Sequence, residues 1–266
     1  MSQTGKILRL GRVLNAKTSR TVIMAMDHCL FMGPLKELDK PAEVAKKAIA
    51  GGANAIIVTP GTCRLIAKEM RGRAAVILRI DGATTTCGPD FFDIRKIASV
   101  EDAARMGADA VIAMGYLGTL RENETLASLS LIARECEKLG IPLVAEMIPV
   151  QGEKIKEPYA AEAVGLAARV GAEIGADLIK THYTGTEETF REVVKGCPVP
   201  IVIAGGPKMK TAQQVLTVAR GAINAGAVGV AFGRNIWQHK NPEGMTRAVA
   251  KIVHGMKTVR EALKEL

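Results

Sequence analysis

Gly52-Ala53-Asn54-Ala55-Ile56-Ile57-Val58, Gly107-Ala108-Asp109-Ala110-Val111-Ile112-Ala113, Gly175-Ala176-Asp177-Leu178-Ile179-Lys180 and Gly226-Ala227-Val228-Gly229-Val230-Ala231 are four versions of one segment. An Ala-rich stretch precedes each copy, and an apolar β-branched run follows. A helix closed by glycine, a two-residue turn and a buried parallel strand account for the pattern. The copies begin at 52, 107, 175 and 226, so the offsets are 55, 68 and 51. A βα unit takes about 25–35 residues, so each offset spans about two units and the four copies imply about eight.

The intervening strands are short apolar runs bounded by Gly, Pro or charge: Thr21–Met26, Ala75–Ile80, Pro142–Met147 and Pro200–Ala204. They interleave with Ala55–Thr59, Ala110–Met114, Asp177–Thr181 and Val228–Phe232. Helical patterns over Pro41–Ala50, Val100–Met106, Thr125–Leu139, Tyr159–Ile174 and Thr211–Asn224 separate most of them. Eight near-continuous apolar strands alternating with helices predict an α/β fold, a single-domain (β/α)8 TIM barrel over 1–266. No G-x-G-x-x-G follows the first strand, which argues against an open dinucleotide-binding sheet. Residues 1–20 read as a basic helical extension closing the barrel floor, and Val259–Leu266 as a short final helix.

Composition narrows the function. Hydrophobic residues are 48% and charged residues 24% of the 266, ordinary for a globular chain. Five cysteines with no C-x-x-C pair argue against a disulfide framework and a thiolate zinc site, and point to the cytoplasm. No signal peptide and no apolar run of about 18 residues is expected, so no membrane association is. Nine aromatic residues give few stacking platforms for nucleic acid. The net charge of +9 fits a solvated basic surface or an anionic small substrate, and does not choose between them.

A barrel active site lies at the carboxyl ends of the strands. There the sequence places Asp27-His28, Arg79-Ile80-Asp81, Tyr116, Glu146, Lys180-Thr181-His182-Tyr183, Gly205-Gly206-Pro207-Lys208 and Gly233-Arg234-Asn235. Lys180 stands inside a strand that should be buried. A buried amine is costly unless paired, and burial favours its neutral form, the nucleophile that makes Schiff bases with carbonyls. The competing reading is a structural lysine paired with Asp27 or Glu146. Glycine plus a cation in both of the last two loops matches the usual barrel phosphate site, with Gly205, Gly206, Lys208, Gly233 and Arg234 as binding candidates. Asp27 and His28 are candidates for proton transfer, or a loop cap. The carboxylates lack a repeated ligand spacing, so no metal and no cofactor is expected.

Met26-Asp27-His28 with Gly33-Pro34, Gly175 through Gly185, Pro200 through Lys208, and Gly233-Arg234-Asn235-Ile236-Trp237-Gln238 together resemble the archaeal-type class I fructose-bisphosphate aldolase family. That family includes the 2-amino-3,7-dideoxy-D-threo-hept-6-ulosonate synthases and the thiolase-like phospho-autoinducer-2 aldolase relatives. The likeness runs from Gly5 to about Leu266. It implies a TIM barrel, a covalent intermediate on Lys180, a substrate-contacting Asp27 and phosphate held by the last two loops. It also implies a homo-oligomer, a pentamer or decamer. One position departs: where aldolases and synthases of the family carry a proton-moving Tyr-Pro after strand five, this chain has Ile148-Pro149. Glu146 lies on the same inward face two residues earlier, and Tyr116, Tyr159, His182 and Tyr183 are further candidates for that proton. The thiolase-like relative lacks the tyrosine too, and Arg79 and Tyr116-Leu117-Gly118 resemble its sequence.

The expected function is a class I Schiff-base lyase on a small phosphorylated ketose, with Lys180, Asp27, His28 and Glu146 catalytic. The alternatives are a transaldolase-type or thiolase-like transferase of the same family, and a sugar-phosphate-binding barrel without catalysis.

Overall fold

The computed structural model describes residues 2–266. Eight parallel strands close into a barrel: β1 (Thr21–Ala25), β2 (Ala55–Val58), β3 (Ala75–Arg79), β4 (Ala110–Leu117), β5 (Leu143–Pro149), β6 (Leu178–Thr181), β7 (Ile201–Ala204) and β8 (Gly229–Phe232). Each pairs with its neighbours in sequence, and β8 pairs with β1. Strand alternation sorts the side chains into two cores. Ile23, Ala25, Ala55, Ile57, Ile77, Ile112, Val144, Leu178 and Val202 fill the interior. Val22, Met24, Ile56, Val58, Ile179 and Ile203 pack outward against the helices.

The repeated segment has a structural cause. Asn54 donates its amide to the carbonyl of Val22 and accepts that residue's N–H on its side-chain oxygen, both at 2.8 Å. Asp109 grips Val76 in the same two-way manner, and Asp177 grips Leu143. Each Asn or Asp thus clasps the preceding odd-numbered strand to the following even one, which is why the motif recurs every second unit. The fourth copy carries Val228, which makes only the backbone half of the clasp, to Ile201. Here Gly229 is required, because a Cβ would lie 1.9 Å from the Thr21 carbonyl oxygen.

The amino-terminal helix spans Ser2–Val13, and residues 14–20 form a turn rather than continuing it. Asn15 sets that turn by accepting the Lys17 and Thr18 amides on its side chain. Val13 is buried with the barrel interior, so the helix does close the floor. Lys6 bonds Asp177 and Arg12 bonds Asp109, so the helix is fastened to two of the clasps.

The five expected helices are present, Pro41–Ala50 with both ends as expected and the others within three residues, and the expected final helix is a short one over Val259–Ala262. Three further helices of ten or more residues, Pro60–Met70, Glu187–Gly196 and Pro242–Val253, open on Thr59, Thr186 and Asn241 caps. Their Pro-Gly, Thr-Gly-Thr and Asn-Pro-Glu-Gly flanks look like turns, yet Pro at the first helical position and a capping oxygen are start signals. Strand β4 runs past its expected end at Met114 to Leu117. Gly115 there is not a stop: a Cβ would strike the Met147 sulfur at 2.6 Å.

Candidate active site

At the carboxyl end of the barrel, inward positions that are apolar deeper down become charged. β3 ends in Arg79, β5 carries Glu146 and β6 carries Lys180, while Asp27 follows β1 and Asp81 follows β3. All five are buried. Arg79 is the hub. Its Nε donates to Asp27 Oδ2 at 2.9 Å, its Nη1 to Asp81 Oδ1 at 3.0 Å, and its Nη2 to Glu146 Oε2. Glu146 turns its other oxygen to Lys180 Nζ, 2.6 Å away. Asp81 also accepts the Met114 amide. Register explains the assembly, since Glu146 pairs with Lys180 across β5 and β6 and with Met114 across β4 and β5.

Burial opposes every one of these charges, and the partners decide the outcome. For Asp27, burial pushes the carboxyl up, but Arg79, Lys180 and His28 outweigh it and hold the pKa down at about 2. Burial likewise opposes ionisation of Glu146, and Lys180 and Arg79 hold it below the usual carboxylate range. In Asp81 burial prevails over Arg79 and the carboxyl lies above its ordinary value. Burial lowers the Arg79 pKa, but the three carboxylates more than reverse this and raise it well above normal.

His28 Nδ1 lies 3.6 Å from Asp27 Oδ1 and has no hydrogen-bond partner. Its ring packs edge-on against Trp237, whose indole N–H holds the Ala25 carbonyl. Burial keeps His28 below its ordinary pKa despite Asp27. Gly233 is what admits the ring: a Cβ there would lie 2.5 Å from His28 Cε1.

The last two loops form the other half of the mouth. Gly206 adopts φ +63°, open to glycine at little cost. Asn235 ties the loops together by donating to the Gly205 and Pro207 carbonyls and accepting the Met209 amide. Arg234 Nε is buried and unpartnered. Lys208 is different: it is exposed, and its ammonium donates to the Gln238 carbonyl at 2.8 Å.

The structure therefore brings Asp27, His28, Glu146 and Lys180 together, and sets Gly205, Gly206, Gly233 and Arg234 on adjoining loops. Lys180 points inward, but it is no lone amine; it has the carboxylate partner that a structural lysine would have. The central role of Arg79 was missed. Its signal was present, an arginine two residues before an aspartate at the end of a buried strand, but only the fold shows that three carboxylates converge on it. Among the described residues no group of three or more His, Cys, Asp or Glu is arranged to hold a metal ion, and no helix is long and apolar enough to cross a membrane.

Residues 21–239 match the model of the DeoC/LacD family aldolases. The chain is 36% identical over 254 residues to a 2-amino-3,7-dideoxy-D-threo-hept-6-ulosonate synthase of Halobacterium salinarum, covering 96% of this chain and 93% of the relative. It is 34% identical over 266 residues to a class 1 fructose-bisphosphate aldolase of Thermoproteus tenax, covering 98% of each. A solved archaeal fructose-1,6-bisphosphate aldolase, its catalytic lysine bound covalently to the carbinolamine intermediate of its substrate, matches with a TM-score of 0.85 and 32% identity over 93% of this chain and 99% of that one. The chain belongs to the DeoC/LacD family of aldolases and is an aldolase-type enzyme.

Proposed function

We propose that this protein is a class I aldolase that cleaves or forms the bond between the α and β carbons of a small phosphorylated ketose, through a Schiff base on Lys180. One observation carries the reading: Glu146 is shared between Lys180 and Arg79. When Lys180 gives up its proton and attacks a carbonyl, Glu146 keeps a cationic partner. The buried carboxylate is never left alone, so the amine can change charge without the full penalty of an unpaired buried ion.

The mechanism follows. Lys180 Nζ adds to the keto carbon, and loss of water gives an iminium. A base takes the proton of the β-hydroxyl, the Cα–Cβ bond breaks to release an aldehyde, and its electron pair forms the enamine double bond; protonation at Cα restores the iminium, and water hydrolyses it to release the second product and free Lys180. Asp27, His28 and Glu146 lie beside the amine to orient hydroxyls and move protons. Gly205, Gly206, Gly233 and Arg234 hold the phosphate, and the unpartnered Arg234 Nε supports that role. Anchoring the phosphate aligns the carbonyl against the amine, an effect worth up to about 7–11 kcal/mol in well-oriented reactions. Lys208 belongs to this site only if it leaves the Gln238 carbonyl. The cytoplasm is the proposed location. A homo-oligomer, pentamer or decamer, is the proposed assembly; exposed Leu65, Leu120, Leu131 and Leu166 offer apolar surface for it, and light scattering measures it.

The test is borohydride reduction in the presence of dihydroxyacetone phosphate or fructose 1,6-bisphosphate. A mass increase confined to the Lys180 peptide is expected. No adduct with a panel of ketose phosphates removes the mechanism and leaves a binding protein.

A further inference from the structure

Above the layer of Glu146 and Lys180 lies a second inward row. Tyr116 on β4 pairs in register with Ile148 on β5. The β5–β6 register sets Val144 against Leu178 and ends with Glu146 against Lys180; just beyond it the Thr181 hydroxyl still bonds the Met147 carbonyl, which brings His182 level with Ile148. The alternation does hold past the end of β6: Leu178 packs in the interior, Ile179 and Tyr183 pack outward, and His182 therefore falls on the side of Lys180. Two residues along an extended chain is roughly 6.6 Å, so the imidazole stands about one side chain above the amine. The row is thus a phenol, a sec-butyl side chain and an imidazole.

His182 is held for use rather than consumed by the fold. The ring of Tyr159, from the loop after β5, stacks on it with centroids 4.4 Å apart and planes 27° apart. Stacking fixes the ring plane and leaves both nitrogens at the free edge. Neither nitrogen makes a hydrogen bond within the chain, and neither is fully buried. By contrast both nitrogens of His254 are engaged, by Thr18 and Asn54. Tyr116 is packed edge-on against Phe92, and burial together with Glu146 drives its pKa up.

We infer that His182 is the catalytic residue that exchanges a proton with the substrate carbon adjacent to the Lys180 imine. The inference rests on the Schiff-base reading above and names the group that serves it. In the step, a neutral ring nitrogen takes the proton from that carbon. The C–H electron pair becomes the new carbon–carbon double bond, and the iminium π pair returns to nitrogen, giving the enamine. The reverse transfer restores the neutral ring. The charged groups facing the ring are Glu146 on β5 and Lys180 on β6, with the Tyr159 phenol on the stacking loop. Burial and Lys180 lower its pKa while Glu146 opposes them, with a net shift below 6.5. The ring is thus a competent base at neutral pH.

The experiment compares two readouts on full-length protein with dihydroxyacetone phosphate: borohydride trapping on Lys180, and exchange of the hydroxymethyl protons with D2O followed by NMR. The wild-type chain should do both, with exchange rising with pH through a group below 6.5 and then level. His182→Asn should trap within about threefold of wild type yet exchange about 100-fold or more slowly, without the acid limb. Exchange retained in His182→Asn overturns the assignment, and more pointedly so if Tyr116→Phe abolishes it. Trapping and exchange falling in parallel overturns it as well, since a ring that only shapes the site would do that. No trapping in the wild type overturns the Schiff-base reading and this inference with it.

Discussion

The two ends of the barrel use buried polar groups in opposite ways. At the floor the charged and amide side chains are locally matched. Asn54, Asp109 and Asp177 each clasp one strand, and Lys6, Arg12 and His254 cover the remaining valences. Each of these side chains has a partner determined by the fold; the exception at the floor is the buried Thr21 hydroxyl, which has none. At the mouth two cations and three carboxylates are buried together, one arginine serves three of the anions, and donors on Arg234 and His28 stay unpaired. Matched charges signal stability, and a buried charged group left unsatisfied at the mouth signals something that binds.

The sharpest way to break that contrast is at Lys180. Lys180→Met removes the nucleophile while Arg79 still holds Glu146. Activity with a ketose phosphate should fall by at least about a thousandfold. The melting temperature should change little, because no charge is left alone. A variant that unfolds instead would make Lys180 a structural group of the floor's kind. Arg79→Met is the reverse case. It strands Asp27, Asp81 and Glu146 with Lys180 as the only remaining cation of the cluster, and should cost about 3–5 kcal/mol of unfolding free energy in addition to activity. Denaturation in urea measures it, and a loss below about 1 kcal/mol would show that the cluster is not held by its hub.

Arg234→Ala tests the unpaired donor. Losing a charge-assisted hydrogen bond to phosphate costs about 1.5–3 kcal/mol, roughly 10- to 150-fold in affinity. The rise in KM should appear with phosphorylated ketones and not with unphosphorylated ones. Equal effects on both would remove Arg234 from anion binding.

The same contrast explains what could be read without coordinates. Strands flanked on both sides by helices are apolar on both faces, so their runs stand out, and a charge within one, Lys180 or Glu146, stands out further. Helices Pro60–Met70 and Pro242–Val253 did not stand out, because their starts share Pro, Gly and Asn with turns. The floor motif was legible as a repeat, while its meaning as a clasp needed the pairing of strands. Arg79 was visible as a charge at a strand end, but its three partners come from different segments, and only closure of the barrel joins them. His182 follows from alternation once Lys180 is known to face inward. The direction of Lys208 was not readable, since an exposed side chain after a turn can choose between an anion and a nearby carbonyl.

The smallest effect is expected at the floor, from Asp177→Asn. Asp177 uses one oxygen for the Leu143 amide and shares the carboxylate with Lys6, at 3.0–3.1 Å. For Lys6, burial lowers the pKa, but hydrogen bonds and charge from Asp177 and Glu137 reverse this and raise it. An asparagine has only one oxygen. It can still accept the Leu143 amide, as Asn54 accepts from both Val22 and His254 on one oxygen, but it brings no charge to Lys6, and its amide N–H group faces that cation. Asn54 tolerates the same side chain because its second partner is neutral: burial and the nearby Arg20 lower the His254 pKa, so Nε2–H donates to the Asn54 oxygen and Nδ1 accepts from Thr18. Asp177→Asn should therefore cost about 1–2 kcal/mol, with kcat/KM unchanged and part of the loss recovered by adding Lys6→Met. Should kcat/KM fall with stability, the floor and the mouth would be coupled, and the division between them would be wrong.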